Sequence, residues 1–270
     1  VFDVGIAEAH GVALAAGMAT QGLRPVVCIY STFLQRAFDQ IVHDVAIQRL
    51  PVIFGVDRAG IVGDDGRTHH GVLDLAYLRA IPNLIVAAPK DENELRHMLR
   101  TALAADCPFA IRYSRGAGIG TSVDGDPQVL PVGRAELIRD GSDIALLGIG
   151  WGVTPALQAA EELERIGLQA AVVNARFVKP LDRDLICELA TRTRRIITVE
   201  DHNKMGGFGS AVVELLTDND LGDIQVRRIA LPDEFHEHGP PDSIRAEHGI
   251  TVSGIVRTAC RLADPTIDTR

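Results

Sequence analysis

Short apolar runs alternate along this chain with longer segments of helical periodicity, and this alternation constrains the fold more than any other feature. The runs are apolar throughout, so each strand is expected to be covered on both faces, as in parallel sheets between layers of helices. The sequence therefore predicts an α/β fold. The predicted strands are 26–30, 52–56, 84–87, 109–112, 143–149, 170–174, 195–200 and 225–230.

A linker is predicted at residues 116–133, where GAGIGTSVDGDPQVLPVG is rich in glycine, proline and small polar residues. It divides the chain into a first domain at 1–115 and a second at 134–270. A length of 270 residues suits two domains of ordinary size, and a 46% apolar composition supplies a core for each. We expect two three-layer α/β/α domains with mostly parallel sheets.

One helix is expected directly after the first strand, at residues 34–47. Its apolar side chains recur at helical spacing, so they should share one buried face. The residues of this face are Leu34, Phe38, Ile41, Val42 and Val45.

The charge balance argues against a nucleic-acid partner. The net charge is -9 and the pI is about 5.5, so the chain has no basic excess with which to neutralise phosphates. No apolar stretch is long enough to span a bilayer and no signal peptide is evident, which excludes a membrane partner and predicts a cytoplasmic protein.

The four cysteines indicate neither a zinc site nor a disulfide framework, because they lie far apart and form no CxxC pair. They are Cys28, Cys107, Cys187 and Cys260. Cys28 lies in the apolar run VVCIY, where a buried and reduced thiol is expected. Reduced cysteines fit the cytoplasm.

The densest group of candidate functional residues follows the second predicted strand, in the segment DRAGIVGDDGRTHHG. Charged groups in a glycine-rich loop after a buried strand are poorly explained by packing, and the glycines let the backbone approach a ligand. We therefore predict a binding site here. Its candidates are Asp57, Arg58, Asp64, Asp65, Arg67, His69 and His70. Metal binding by the adjacent histidines is disfavoured, since such side chains point apart in an extended chain.

Further candidates follow two other strands. Tyr30, Phe33 and Arg36 come after the first strand and together suit a stacking surface with an anion clamp. Phe33 as plain core and Arg36 as an ordinary surface charge remain open. Arg115 follows the fourth strand, and with Arg58 it could hold a phosphate. Ligands of open α/β sheets bind at the carboxyl ends of the strands, where all of these residues are predicted to lie.

Glu8 begins an alanine- and glycine-rich helical segment. An acid in a first turn can simply complement the helix dipole, and this interpretation remains open. In the second domain, Gly148, Gly150 and Gly152 form a weak dinucleotide signal, for which a tight strand-to-helix turn is preferred to a nicotinamide site.

The segment HEHG offers His236 and His238 as a metal pair. Further ligands at a typical spacing are not evident, so a solvated loop is the favoured interpretation and no metal ligand is predicted.

Several of these segments together resemble the signatures of the 1-deoxy-D-xylulose-5-phosphate synthases, which are transketolase-like thiamine-diphosphate enzymes. They stand in the order of that family and cover nearly the whole chain. The segments are FDVGIAEAH, YSTFLQRAFDQ, DRAGIVGDDGRTHHG, RYSRG, EDHNKMGGFGS and LPDEFHEHG. The resemblance implies a transketolase pyrimidine-binding domain followed by a transketolase C-terminal domain, in a homodimer.

The same resemblance implies a transferase that condenses pyruvate with glyceraldehyde 3-phosphate, releases carbon dioxide and feeds isoprenoid, thiamine and pyridoxal synthesis. Glu8 resembles the acid that hydrogen-bonds the aminopyrimidine of the cofactor, which supplies the difficult chemistry. Phe33 resembles the aromatic that stacks on the pyrimidine, and Arg58 and Arg115 resemble the clamp for the triose phosphate. His69 resembles a proton-transfer group, a role suited to histidine. The residues that resemble those positioning substrate and intermediate are Tyr30, Arg36, Asp65 and His69, and Tyr30 also resembles a cofactor contact.

In that family, an amino-terminal domain holds magnesium and diphosphate through a Gly-Asp-Gly motif and a downstream asparagine. The nearest segment here, Asp124-Gly125-Asp126, lies in the predicted linker and lacks the asparagine. We expect the chain, which begins at Val1, to be a fragment without synthase activity of its own. The alternatives are a transketolase C-terminal half, a 2-oxo acid dehydrogenase beta subunit, a non-catalytic dimerisation module and, more distantly, a nicotinamide oxidoreductase.

Overall fold

The computed structural model describes residues 1–123 and 125–264, so Asp124 of the Asp-Gly-Asp segment lies outside the described residues. Over this part of the chain, ten strands form two five-stranded sheets. The strands are β1 (Val26–Tyr30), β2 (Ile53–Ala59), β3 (Ile85–Ala87), β4 (Phe109–Ser114), β5 (Glu136–Arg139), β6 (Ile144–Gly148), β7 (Ala170–Asn174), β8 (Phe177–Lys179), β9 (Arg195–Asn203) and β10 (Gln225–Leu231).

Helices cover the sheets. The α-helices are α1 (Glu8–Thr20), α2 (Ser31–Leu34), α3 (Phe38–Gln40), α4 (Asp74–Arg79), α5 (Glu92–Ala104), α6 (Val153–Arg165), α7 (Arg183–Thr193), α8 (Phe208–Asp218), α9 (Pro241–Glu247) and α10 (Val252–Ala263). Short 3-10 turns add Gln35–Ala37, Gly66–Thr68 and Gly150–Gly152, and a π-helical turn adds Ile41–Ala46. Every described helix is too short or too polar to cross a lipid bilayer.

Both sheets are mostly parallel. The first has the order β1-β2-β4-β3-β8 and the second the order β10-β9-β6-β7-β5, and in each only the last strand is antiparallel to its neighbour. The predicted α/β fold with mostly parallel sheets is confirmed. The strands that the sequence did not indicate, β5 and β8, are these two antiparallel edges, which are short and contain charged residues.

Strand β8 joins the two halves of the molecule. It lies well after the predicted linker, yet it pairs with β3 and so extends the first sheet. Its Phe177 is fully buried and packs edge-to-face on Phe109 of β4, with 6.4 Å between ring centroids. The first sheet is thus completed by a strand from the second half of the chain.

The opposite edge of the first sheet is open. Val26 is 47% exposed and Cys28 is exposed, so the prediction of a buried Cys28 was wrong. The reason is that β1 is an edge strand whose alternate residues, Val27 and Ile29, pack on the core while the other face stays uncovered. Phe38, predicted for the buried helix face, is also exposed.

The predicted Gly-x-Gly-x-Gly segment forms a tight 3-10 turn between β6 and α6. A Cβ on Gly152 would collide with the backbone of Val199 in β9. Close packing of turn against strand therefore accounts for the glycine there.

Candidate active site

Three neighbouring parallel strands end at the candidate site. Strand β2 lies between β1 and β4, and Tyr30 at the end of β1 stands opposite Asp57 in β2. Arg58 follows Asp57 directly, and Arg115 follows the last residue of β4. The common direction of the strands therefore delivers these side chains to one edge of the sheet.

Three rings form the apolar part of the site. Tyr30 and Phe33 stack with 5.9 Å between centroids and an interplanar angle of 23°. His69 meets Phe33 edge-to-face at 5.2 Å. The turn that carries Phe33 is tied to the glycine-rich loop by Thr32 Oγ1, which donates to the Thr68 carbonyl at 3.1 Å. The loop after β1 and the loop after β2 thus present their rings together.

Two guanidinium groups lie over these rings. Arg36 is 4.8 Å from the Phe33 centroid, and Arg58 is 4.1 Å from the Tyr30 centroid. Such contacts favour a fixed orientation of the cation. Arg58 also has a φ of 52°, a left-handed conformation that costs a non-glycine residue on the order of 1–3 kcal/mol. The surrounding structure therefore holds the Arg58 backbone in an unfavourable conformation beside the ring.

Glu8 is the first residue of α1, and its side chain contacts Arg36, one of the two arginines over the rings. Its Oε1 accepts a hydrogen bond from Arg36 Nη1 at 3.0 Å, and its side chain is only 11% exposed. Because Arg36 also lies over Phe33, the carboxylate and the ring face the same cavity, which has a volume of about 560 Å³. Its lining includes Phe2, Glu8, Cys28, Tyr30, Phe33 and Arg36.

Asp65 holds the guanidinium groups of Arg58 and Arg115 together. Its Oδ2 accepts from Arg58 Nη1 at 3.2 Å and from Arg115 Nη1 at 3.3 Å. Arg115 also donates to the Val62 carbonyl at 2.9 Å. The three charged side chains are 27–40% exposed and carry one net positive charge. Two guanidinium forks fixed around one carboxylate can accept an added anion such as a phosphate.

Eight of the candidate residues singled out from the sequence lie in this one group. They are Glu8, Tyr30, Phe33, Arg36, Arg58, Asp65, His69 and Arg115. A nearly buried carboxylate beside an aromatic ring suits a hydrogen-bonding heteroaromatic ring. The donor set at Glu8 and Phe33 therefore fits the aminopyrimidine of the cofactor that the resemblance implies.

His70 has a different task from its neighbour His69. It is buried, its Nδ1 accepts from the Val62 amide at 3.2 Å, and its Nε2 donates to the Glu237 carbonyl at 3.1 Å. Gly66, with a φ of 64°, lies so close to His238 that a Cβ would sit 3.1 Å from the His238 Cβ. The glycine-rich loop is thus packed against the loop that follows β10.

A second cavity, of about 470 Å³, opens between these two loops. Phe33 and Arg36 line it as well as the first cavity, so they form the partition between the two. On the other side it is bounded by residues 233–236 of the loop after β10. Both halves of the molecule therefore contribute to the site region.

A buried ionic network lies behind the site, and sequence reasoning missed it. Arg112 Nε donates to Asp74 at 2.8 Å, and its Nη2 donates to the Asp201 carbonyl at 2.7 Å. The Asp201 carboxylate accepts from Arg245 at 2.8 Å. All four side chains are at most 7% exposed. The signal available in the sequence was the continuation of an apolar strand into the charged tripeptide at 200–202.

Glu200 and His202 extend this network, and neither forms an ion pair with a guanidinium group of the described residues. Glu200 accepts hydrogen bonds from the amides of Phe208 and Gly209 at the start of α8, at 2.6 and 2.8 Å. Complete burial nevertheless raises the pKa of Glu200 to about 7. Burial likewise lowers the pKa of His202 to about 4, although Asp74 lies nearby.

Of the two histidines after β10, which were both expected in a solvated loop, only one is exposed. His238 is exposed, but His236 is only 5% exposed, so the prediction was wrong for His236. The reason is a contact that the sequence did not indicate: His248, after α9, brings its ring to 4.7 Å from that of His236. Burial, and then the charge of His248, lower the pKa of His236.

Comparison with known protein families divides the chain into two parts. Residues 1–119 match the transketolase pyrimidine binding domain, and residues 133–255 match the transketolase C-terminal domain. The 1-deoxy-D-xylulose-5-phosphate synthase of Desulforudis audaxviator is 58% identical over 258 residues, which cover 96% of this chain and 41% of that protein. That of Halothermothrix orenii is 52% identical over 267 residues, covering 99% and 42%. The chain thus spans about two-fifths of these relatives.

Solved structures give the same picture. A split gene transketolase, described as an inactive beta4 tetramer, superposes with a TM-score of 0.88 at 31% identity, covering 97% of this chain and 84% of that one. The transketolase of Campylobacter jejuni subsp. jejuni NCTC 11168 has a TM-score of 0.76 at 24% identity, covering 96% of this chain and 39% of that one. The second similarity supports the fold alone.

Proposed function

The chain belongs to the transketolase family, and on that premise we propose that it forms the pyrimidine-binding and C-terminal domains of a 1-deoxy-D-xylulose-5-phosphate synthase. The proposed reaction condenses pyruvate with glyceraldehyde 3-phosphate and releases carbon dioxide, as the first step of an isoprenoid pathway. Identities of 52–58% over nearly the whole chain support this choice. The observation that carries it is the convergence of two carboxylates, three rings and three guanidinium groups at a single sheet edge.

Glu8 is proposed to hydrogen-bond the pyrimidine nitrogen of thiamine diphosphate. The Glu8 side chain is 11% exposed, so few water molecules compete for its carboxylate and a hydrogen bond to it is strengthened. Phe33 would stack on the ring. Tyr30, which itself stacks on Phe33, would hold the Phe33 ring in position. When bound, the cofactor supplies a nucleophilic carbon able to attack a keto group. Arg36 is proposed to exchange its bond with Glu8 for one with substrate.

Arg58 and Arg115 are proposed to hold the phosphate of glyceraldehyde 3-phosphate. Asp65 keeps the two guanidinium groups close together before the substrate arrives, so little ordering remains to be done on binding. Removal of either arginine should therefore raise the KM for the phosphorylated substrate, while an unphosphorylated acceptor should be used equally well by variant and parent.

His69 is proposed as the group that moves a proton at the substrate oxygen. Its Nδ1 lies 2.9 Å from Thr68 Oγ1, a contact that fixes the ring and assigns the transfer to Nε2. The edge-to-face contact with Phe33 keeps the imidazole beside the proposed pyrimidine position. An imidazole is suited to this task because one ring nitrogen can donate a proton while the other accepts a hydrogen bond.

Magnesium and the cofactor's diphosphate are proposed to be held by the part of the curated relatives that this chain does not match. Activity would then require that part, and the chain alone would be inactive. A homodimer is proposed, for which the exposed apolar side chains Phe2, Ile6 and Val26 give support. The cytoplasm is the proposed location, which the four free cysteines fit.

A second candidate is the beta chain of a split gene transketolase. It is favoured by the TM-score of 0.88 to the split gene transketolase chain, 84% of which is covered. The identity of 31% to that chain is well below the 52–58% to the synthases, so the synthase remains the first proposal. The two differ in donor: the synthase decarboxylates pyruvate, and a transketolase cleaves a ketose phosphate.

The test is reconstitution of the chain with the separately expressed amino-terminal part of a related synthase, with thiamine diphosphate and magnesium. We expect release of carbon dioxide from pyruvate that depends on glyceraldehyde 3-phosphate, and none from the chain alone. Glu8→Gln should lower the rate at least about 100-fold. Asp3→Asn, which changes another acid of the same cavity, is the matched control. Full activity of Glu8→Gln, or ketose cleavage without use of pyruvate, would refute the synthase proposal.

A further inference from the structure

Two histidines and a glutamate meet on the far side of the second cavity. Glu234 and His236 lie in the loop after β10, and His248 follows α9. One ligand atom from each residue lies within 4.8 Å of the other two. Glu234 Oε1 is 3.8 Å from His236 Nδ1 and 3.7 Å from His248 Nε2. These separations are too long for hydrogen bonds.

The same separations are close to those between ligands of one metal ion. Bonds of 2.0–2.2 Å in a tetrahedral zinc site place neighbouring ligand atoms about 3.4 Å apart. Rotation of the Glu234 side chain, which is 55% exposed, would shorten its separations from the two imidazoles, and small rotations of the imidazoles would shorten the third separation, which is at most 4.8 Å. The backbone therefore already presents the three groups at nearly the required spacing.

His236 provides a second and independent observation. Its side chain is 3% exposed, and its Nε2 is buried without a hydrogen-bond partner among the described residues. Its Nδ1, which faces Glu234 Oε1 at 3.8 Å, also makes no hydrogen bond with the described residues, so this ring nitrogen is available to bind a metal ion. His70, whose ring centroid lies 6.5 Å from that of His236, is already engaged on both ring nitrogens.

We propose that Glu234, His236 and His248 bind one zinc ion. Two imidazoles and one carboxylate are a ligand set that zinc uses, whereas magnesium and calcium prefer oxygen ligands alone. Three protein ligands leave one coordination position for water, which the exposed side of Glu234 admits. This site is separate from the proposed synthase chemistry and from the magnesium of the cofactor.

The ion would fasten the loop after β10 to the turn between α9 and α10. That loop bounds the second cavity and contacts the first domain, where the Glu237 carbonyl accepts from His70 and the Gly239 amide donates to the Gly63 carbonyl. Zinc binding should therefore stabilise the junction of the two domains, and the effect should be measurable without any catalytic assay.

The experiment is a calorimetric titration of the untagged, chelator-treated chain with zinc chloride. We expect one equivalent to bind and to raise the melting temperature. Glu234→Gln and His248→Gln should each weaken binding at least about tenfold, because even loss of an outer-shell partner has that effect. Cobalt(II) at the same stoichiometry should give the absorption spectrum of a tetrahedral or five-coordinate site.

The matched control is His238→Gln, which removes an exposed histidine from the same loop and should leave zinc affinity unchanged. The proposal is overturned if no stoichiometric binding occurs, or if both Glu234→Gln and His248→Gln bind zinc as the parent does. It is also overturned if His238→Gln abolishes binding. Glu234 is exposed, so its variant should fold and keep the test decisive.

Discussion

Arg112 and Arg115 lie three residues apart in the segment RYSRG, yet they belong to two different kinds of charged region. Arg112 is 3% exposed and its partner Asp74 is completely buried. Arg115 is 40% exposed and shares Asp65, which is 36% exposed, with Arg58. The closed region, formed by Arg112, Asp74, Asp201 and Arg245, joins elements of both domains. The open region, formed by Arg58, Asp65 and Arg115, is partly accessible to solvent.

Burial decides what each ion pair does. A buried guanidinium whose partner is removed cannot recover its lost hydration, so the closed network fixes a single arrangement. A half-exposed guanidinium can exchange its partner for water or for a phosphate at little cost. The same residue types therefore hold the fold together behind the sheet edge and remain free to bind a ligand in front of it.

The largest effect on stability should follow loss of the closed pair. Arg112→Met leaves the Asp74 carboxylate buried without its cation and should lower the free energy of unfolding by about 3–5 kcal/mol. Arg115→Met, three residues away, should lower it by less than about 1 kcal/mol. Urea denaturation of both variants measures the difference. Equal losses would show that burial does not separate the two regions.

The next effect is a dependence of stability on pH from Glu200 and His202. Burial raises the pKa of Glu200 from 4.5 to about 7, so the folded state binds the extra proton and stability falls as pH rises through this range. Burial lowers the pKa of His202 from 6.5 to about 4, so the unfolded state binds the extra proton and stability rises with pH over that range. Each contribution amounts to roughly 3 kcal/mol.

Because the two contributions oppose each other between pH 4.5 and 6.5, they nearly cancel in the parent chain. Glu200→Gln should therefore gain stability relative to the parent as pH rises, and His202→Gln should lose it. Urea denaturation at intervals of pH gives both differences. Two variants whose difference from the parent does not change with pH would refute the pKa directions.

The sequence predicted the open region far better than the closed one. Site residues such as Asp65 and His69 follow strands in glycine-rich loops, a local signal that can be read without knowing which strands are neighbours. The closed pairs join positions far apart in the chain, such as Asp74 with Arg112, and no local pattern specifies that pairing. His248 escaped notice for the same reason, since its contact with His236 exists only once α9 has returned to the sheet.

The fold, like the site, was predicted where the signal is local and missed where it depends on tertiary contacts. Long apolar runs revealed the buried parallel strands, whereas β5 and β8 are short and their pairing depends on tertiary contacts. Cys28 was assigned to the core because an apolar run does not reveal that its strand lies at an edge. Periodicity therefore reports which residues can be buried, and sheet order decides which of them are.

The smallest effect on stability is expected at the partition between the two cavities. Arg36→Met keeps the aliphatic stem over Phe33 but removes the bond to Glu8, a pair whose cation is 56% exposed. The free energy of unfolding should fall by less than about 1 kcal/mol, and a double-mutant cycle with Glu8→Gln should give a coupling of about 0.5 kcal/mol. A loss above about 2 kcal/mol would place this pair with the closed network. A small loss would instead mean that Glu8 can exchange Arg36 for a ligand without unfolding the sheet edge that presents it.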